Sequence, residues 1–160
     1  MIKSQFQTLF AYHWHTNRTM MQKAATLDEA VYKDNPGYGH GSIHDLLFHI
    51  LRTDRSWRMA LETGRQAAGM RPEVYSDLKS LQAGFEEEQA AWRAVIDGLS
   101  DEEIESEIAL TNWRGEPFPI SRWVILQHLV LHGMQHQTEV AQLLTARGQS
   151  PGDIDFIFFS

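Results

Sequence analysis

Apolar residues recur at three- and four-residue steps in four separate stretches of the chain, with polar residues between them. This spacing puts the apolar side chains on one face of a helix, so each stretch predicts an amphipathic helix. The four predicted helices run approximately over Ile2 to Leu27, Ser42 to Thr63, Ser76 to Asp97, and Ser121 to Arg147. The pattern therefore predicts an all-α fold, a four-helix bundle.

Local signals mark the starts of two of these helices. Ser42 stands three residues before Asp45. This spacing is a variant of the capping box, in which the Ser hydroxyl accepts a hydrogen bond from the backbone amide of the acidic residue and the carboxylate accepts one from the Ser amide. Ser121 is expected to cap the fourth helix, with Ile120 and Ile125 as a hydrophobic staple across that cap.

The segment from Glu107 to Pro119 follows a different pattern. Ile108 and Leu110 alternate with other residues, and the sequence Trp-Arg-Gly-Glu that follows is typical of a turn. A short β-hairpin or an extended loop is predicted between the third and fourth helices. The apolar tail, residues 154–159, is expected to pack back onto the bundle or onto a second subunit.

Composition narrows the class of protein. The 160 residues fit a single domain, 1–160. No stretch approaches the roughly 20 apolar residues of a membrane span, and no secretion signal is evident, so a cytoplasmic location is expected.

Lys and Arg number 14 against 21 Asp and Glu, a net charge of −7, and the arginines are scattered, so nucleic acid is not an expected partner. Cysteine is absent, which excludes disulfides, thiolate-zinc sites and a cysteine nucleophile.

Three of the eight histidines form a row at His128, His132 and His136. A four-residue step returns to nearly the same side of a helix, so neighbouring members of the row can point at one ion. His-x-x-x-His on a helix is a common two-ligand clip for zinc and related metals. His49, at an apolar position of the second helix, is the leading candidate for a third ligand.

Spacing alone leaves a structural alternative open. His49 can instead hydrogen-bond to a neighbour, and the row can be a polar seam in the core, satisfied by Asn17, Thr53 or Gln135. Two other metal chemistries are excluded. Gly133 follows His132 where a zincin needs Glu, and no Glu-x-x-His pair is present for a di-metal site. One ion is therefore expected.

The other chemistry-bearing residues carry less weight. His13 is expected to be a satisfied core histidine or a group behind the metal ligands, and His40 and His44 to be surface or pocket-rim residues. The acidic run from Glu86 to Glu88 is interpreted as a solvated helix face. Trp14, Trp57 and Trp113 are candidates for a pocket lining, although core packing is the commoner fate of each.

Four stretches form a specific ordered pattern: Ser42 to Ile50, Leu129 to Gln137, Leu143 to Gly148, and Asp153 to Phe156. Together they resemble the DinB/YfiT-like superfamily of four-helix-bundle metalloproteins over essentially the whole chain. The resemblance implies one divalent metal held by His49, His132 and His136, and a homodimer. Many members carry His-His-Arg-Gly-Gln where this chain has Gln-His-Gln-Thr-Glu at 135–139, so the ligand is kept but its neighbours differ.

Three neutral imidazoles around an ion with an open position make a Lewis acid that activates water or a thiol. The resemblance implies thiol chemistry, and no strong general base is evident. The leading hypothesis is a metal-dependent transferase that activates a low-molecular-weight thiol for attack on an electrophile. The alternatives are a metal-dependent hydrolase and a non-catalytic metal-binding stress protein. Zinc is expected from availability; imidazole also suits nickel and iron.

Overall fold

Six helices and one small sheet make up the part of the fold that the structure describes. The computed structural model describes residues 2–66 and 69–159. In chain order the elements are α1 (Ile2–Ala24), α2 (Glu29–Tyr32), α3 (Ile43–Thr63), α4 (Leu78–Gly98), α5 (Asp101–Glu105), β1 (Glu107–Thr111), β2 (Pro117–Ser121) and α6 (Arg122–Ala146). Two short 3₁₀ turns, Pro72–Tyr75 and Phe156–Phe158, precede α4 and follow α6.

The four long helices form the predicted bundle. Helix α6 packs against α1 and α3, and α4 packs against the same two helices from the other side. The four-helix architecture is therefore confirmed, with α2 and α5 as short additions that the periodicity did not indicate. Within the described residues, no helix is long and apolar enough to cross a membrane.

The apolar core is divided into two clusters along the bundle axis. One contains Met20, Leu47, Leu81 and Val140, and the other contains Phe10, Trp92, Leu126 and Leu129. Buried polar residues occupy the level between the clusters on all four long helices: His13, Asn17, Asp54, Glu88, His136 and Gln137. The bundle therefore has a polar layer at mid-height, which places the functional groups described below.

The predicted helix starts are only partly right. Ser42 accepts a hydrogen bond from the Asp45 amide and the Asp45 carboxylate accepts one from the Ser42 amide, so the capping box is confirmed. Ser121 occupies the N-cap position of α6, but its side chain makes no capping hydrogen bond. Ser121 is also the last residue of β2, paired with Glu107, so strand pairing rather than a side-chain cap sets this boundary.

The segment before α6 is a β-hairpin rather than an extended loop. Strands β1 and β2 are antiparallel, with Ile108 opposite Ile120 and Thr111 opposite Pro117. Prolines are tolerated in β2 because a two-stranded sheet leaves one edge of each strand unpaired. The Thr111 amide donates to the Gly64 carbonyl at 2.9 Å, which attaches the hairpin to the end of α3.

The apolar tail contacts α1, in agreement with the first of its two expected positions, on the bundle or on a second subunit. The Tyr12 hydroxyl donates to the Ile154 carbonyl at 2.5 Å. The rings of Phe156 and Phe159 lie edge-on to Tyr12, at centroid distances of 5.2 and 5.6 Å. Ile157 and Phe158 are nevertheless 79% and 69% exposed, so α1 covers only part of the tail's apolar surface.

Candidate metal centre

The three predicted ligands come together where α3 meets α6. His132 and His136 lie one turn apart on α6, and His49 faces them from α3. Ring centroids of the three histidines are 4.5 to 4.9 Å apart. The Nε2 atoms of His49 and His132 are 3.0 Å apart. Two imidazole nitrogens held at about 2.1 Å from one ion are separated by a similar distance, so this spacing fits a shared metal.

A fourth histidine, His40, joins the group from the loop before α3. Its ring centroid is 4.9 Å from that of His49 and 4.5 Å from that of His136. One nitrogen each of His40, His49 and His136 lie within 4.8 Å of one another, an arrangement able to hold a metal ion. His132 is not one of these three residues, but its Nε2 lies 3.0 Å from that of His49. The interpretation of His40 as a surface or rim residue is incomplete: its side chain is 47% exposed, yet its ring contacts the cluster.

The environment keeps these imidazoles neutral. Burial, and then the nearby His136, lower the pKa of His49 to about 4. Burial, followed by His136 and His49, lowers the pKa of His132 to about 3. Burial also lowers the pKa of His136, although the neighbouring Glu139 opposes the shift. Neutral imidazoles with free lone pairs are the form that binds metal.

The hydrogen bonds within the cluster are incomplete in a way that fits a metal. The Nδ1 atoms of His132 and His136 are buried and have no hydrogen-bond partner among the described residues. Glu139 Oε1 lies 3.4 Å from His136 Nδ1, an ion-pair distance without hydrogen-bond geometry. Buried ring nitrogens normally have partners. A set of neutral imidazoles that face one another with few donors has the donor chemistry of a metal centre.

His13 stands apart from this cluster. Its Nε2 donates to Asp54 Oδ2 at 2.9 Å, because a carboxylate only accepts. Its Nδ1 faces the Gln137 amide nitrogen at 3.3 Å, and that amide also donates to Asn17 Oδ1 at 2.7 Å. The first of the two expectations for His13, a satisfied core histidine, agrees with these contacts.

Gly133 makes room for the His13 ring. A Cβ at this position would lie 2.2 Å from His13 Nδ1, far inside contact distance. The residue that excludes zincin chemistry is thus also the one that lets α1 approach α6. A polar network exists beside the histidine row, but it joins His13 to Asp54, Asn17 and Gln137. The expected hydrogen bonds from Asn17, Thr53 or Gln135 to the row itself are not seen among the described residues.

His128 lies at the edge of the cluster. Its ring centroid is 5.6 Å from that of His132 and 5.7 Å from that of Trp57. Trp57 in turn lines a cavity of about 530 Å³ beside the histidines. Arg52, Arg55 and Trp113 also line this cavity. Trp14, the third tryptophan candidate, lines a separate cavity of about 280 Å³.

Arg52 connects the cavity to the cluster. Its Nη2 lies 3.1 Å from His49 Nδ1. Neither Arg52 nor Arg55 has a carboxylate within ion-pair distance in the described part of the chain. The cavity is therefore a cationic pocket with aromatic walls, joined to the histidine cluster through the contact of Arg52 with His49.

Comparison with known proteins places the fold. The sequence model of the DinB family matches residues 1–160, and no curated protein matches the chain. The structure is similar to a DinB-like protein, YjoA, from Bacillus subtilis, with a TM-score of 0.66, 16% identity, and coverage of 89% of this chain and 93% of that one. It is also similar to YfiT from Bacillus subtilis, described as a probable metal-dependent hydrolase with an unusual four-helix bundle topology (TM-score 0.67, 16% identity, coverage 92% and 90%).

Proposed function

The chain belongs to the DinB family, and on that premise we propose that His49, His132 and His136 hold one divalent metal ion. The proposal is supported by the 3.0 Å approach of two Nε2 atoms, the lowered histidine pKa values and the convergence of His49 and His136 nitrogens within 4.8 Å. Zinc is the expected ion, with nickel and iron as alternatives. When bound, such an ion lowers the pKa of a coordinated water or thiol toward neutrality.

We propose further that the protein transfers a low-molecular-weight thiol to an electrophile. One observation carries this proposal: Arg52 touches both His49 and the adjacent cavity. Glutathione, bacillithiol and coenzyme A all carry carboxylates or phosphates, which arginine binds well. The arginines would orient the thiol so that its sulfur reaches the histidine cluster, and Trp57 and Trp113 would contact its apolar part. The sulfur bonds to carbon, the thiol proton leaves to solvent, and the leaving group departs with its electron pair.

A metal-dependent hydrolase is the second candidate. Glu139 stands beside the cluster, 3.4 Å from His136 Nδ1 and 3.6 Å from His40 Nδ1. Its side chain is 32% exposed, so it can exchange protons with water. A carboxylate in this place is a candidate general base for hydrolysis, which the sequence did not reveal. YfiT, a fold relative, is described as a probable metal-dependent hydrolase.

The thiol proposal is tested with metal-loaded protein and an activated aryl chloride. Each of glutathione, bacillithiol, mycothiol and coenzyme A is supplied in turn, and conjugate is measured by chromatography. Metal-dependent conjugation with at least one thiol is expected. No conjugate above the metal-free background would eliminate the transferase. Ester and amide panels without thiol test the hydrolase, and inactivity in both assays would favour a non-catalytic metal-binding stress protein.

The pocket has its own test. Arg52→Met should raise KM for an anionic thiol by about tenfold, the equivalent of one charge-assisted hydrogen bond, and leave KM for neutral mercaptoethanol nearly unchanged. Arg18→Met, an exposed arginine beside Gln89, is the matched control and should change neither. Homodimerisation and the cytoplasmic location stay predictions, testable by solution scattering and by fractionation.

A further inference from the structure

We propose that His40 is a fourth protein ligand of this metal, one that an incoming ligand can displace. The inference rests on the proposed metal site and goes beyond its three histidines. His40 is carried by the loop between α2 and α3 rather than by a helix.

The loop has a fixed path at the point where it meets α3. Gly41 has a φ of 101°, in the left-handed region that favours glycine. A Cβ on Gly41 would lie 2.6 Å from Asp45 Oδ2, the carboxylate that caps Ser42. The capping box therefore requires glycine at this position and sets how His40 leaves the helix. From this loop the ring of His40 contacts His49 and His136.

The geometry of the rings places His40 on the same side as two of the proposed ligands. Its ring stacks on His49 at an interplanar angle of 22° and meets His136 nearly edge-on at 80°. Stacking alone would not require ligand atoms to converge. One nitrogen of each of these three histidines nevertheless lies within 4.8 Å of the other two, and a small inward movement would complete coordination.

Glu139 acts as the positioning residue for this arrangement. Its Oε1 lies 3.4 Å from His136 Nδ1 and its Oε2 lies 3.6 Å from His40 Nδ1. One carboxylate thus lies beside the Nδ1 atoms of both histidines. We expect it to accept hydrogen bonds from both Nδ1 atoms in the metal-bound protein, where both Nε2 atoms would bind the ion. A carboxylate behind a ligating histidine fixes its tautomer and orientation and raises its basicity.

The exposure of His40 indicates that its bond to the metal is exchangeable. Its side chain is 47% exposed and is held by a loop, whereas His136 is 2% exposed and is fixed on α6. A catalytic metal site needs a position open to substrate. We expect His40 to fill that position at rest and to yield it to the thiol or water.

The experiment compares metal binding by the wild type with that of His40→Ala, Glu139→Gln and Tyr38→Ala. Tyr38 lies in the same loop and is 70% exposed, so it controls for disturbance of the loop. Zn²⁺ affinity is measured by competition with a chromophoric chelator, and Co²⁺ coordination by visible absorption. His40→Ala should weaken Zn²⁺ binding by about tenfold or more and change the Co²⁺ spectrum. Glu139→Gln should weaken binding within the roughly ten- to hundredfold range of groups behind a ligand, and Tyr38→Ala should match the wild type.

A rescue experiment separates ligation from a structural role. Added imidazole should restore the wild-type Co²⁺ spectrum to His40→Ala, because it can occupy the vacated position. An unchanged affinity and spectrum in His40→Ala would overturn the proposal. If the wild type binds metal but forms no conjugate, only the transferase fails; if it takes up no metal, the metal centre and the fourth ligand fail together.

Discussion

Two groups of histidine-containing side chains lie side by side in the middle of this bundle, and they differ in what their ring nitrogens face. The histidine cluster consists of His40, His49, His132 and His136. The polar core network consists of His13, Asn17, Asp54 and Gln137. In the network, both nitrogens of His13 have a partner, at 2.9 and 3.3 Å. In the cluster, imidazoles face imidazoles, and two Nδ1 atoms have no hydrogen-bond partner among the described residues.

The difference gives a physical criterion for separating a structural histidine from a candidate ligand. His136 and Gln137 are neighbours on α6 and are both almost fully buried, so burial does not distinguish them. The partners do. A carboxylate and an amide lie within hydrogen-bond distance of the two ring nitrogens of His13, although Asp54 Oδ1 and Gln137 Oε1 have no partner among the described residues. In the cluster, several neutral imidazoles face one another, which is the arrangement of a candidate metal centre.

The largest expected effect separates the two groups by metal binding. His132→Ala removes a ligand from the cluster and should lower Zn²⁺ affinity by about a thousandfold or more, because the binding free energy is distributed over only a few bonds. Metal content after dialysis is measured by mass spectrometry. Asn17→Ala, in the network, is the control and should retain one ion per chain. Stoichiometric metal in His132→Ala would show that the ligand set is wrong.

The next effect separates the two groups by stability. Asp54→Ala leaves His13 without its carboxylate in the core, and breaking such a buried pair costs about 3 kcal/mol or more of unfolding free energy. Urea denaturation of the metal-free protein measures the change, and metal stoichiometry should persist. Glu62→Ala removes an exposed carboxylate paired with Arg58 at 2.8 Å and should change stability by less than about 1 kcal/mol. Equal losses in both variants would contradict a special role for the network.

The features that follow helical periodicity were predictable from the sequence. The four long helices and the Ser42 capping box depend on residue spacing within helices, so local chemistry sufficed for them. The convergence of His49 with His132 and His136 joins two helices, and it was expected from the family resemblance together with the spacing on α6. The hairpin was predicted as one of two alternatives, and strand register resolved it.

What the sequence did not reveal depends on contacts between elements. The acidic run at 86–88 is not wholly solvated: Glu88 is 5% exposed and accepts a hydrogen bond from Arg58 Nη2 at 3.0 Å. Burial raises the pKa of Glu88, and the arginine opposes that shift. His40 was missed for the same reason, because loop residues have no periodicity that indicates where their side chains point. Its only local signal was the pair of glycines that flank it.

Gly133 lies on α6 between His132 of the cluster and the His13 ring of the network, and its substitution should cause a smaller loss of stability. Gly133→Ala would force a methyl group against His13, whose ring is held by Asp54 and Gln137 and cannot move freely. We expect a loss of about 1–3 kcal/mol in unfolding free energy, as for other overpacked cores. Gly98→Ala is the matched control, since a Cβ there meets nothing within 4 Å. A neutral Gly133→Ala would show that the network tolerates displacement of its histidine.

The histidine cluster should also make the stability of the metal-free protein depend on pH. The pKa values of His49 and His132 are lowered to about 4 and about 3, against about 6.5 in the unfolded chain. Between these values the unfolded chain binds more protons than the folded one, so stability rises with pH. Stability of the metal-free protein should therefore be fully present above about pH 6.5 and decline as the pH falls toward 4. Urea titrations across this range test it, and a His49→Ala, His132→Ala double variant should show a weaker dependence.

The smallest expected effect concerns His128, which marks the outer edge of the cluster. Its ring contacts His132 and Trp57, but no hydrogen bond joins it to another histidine among the described residues. Burial alone accounts for its lowered pKa, whereas neighbouring histidines contribute to those of His49 and His132. His128→Ala should therefore change Zn²⁺ affinity by less than about threefold, under 1 kcal/mol, in the chelator competition. A loss as large as that of His40→Ala would extend the cluster along the α6 row and make the helix, rather than the loop, the source of its fourth histidine.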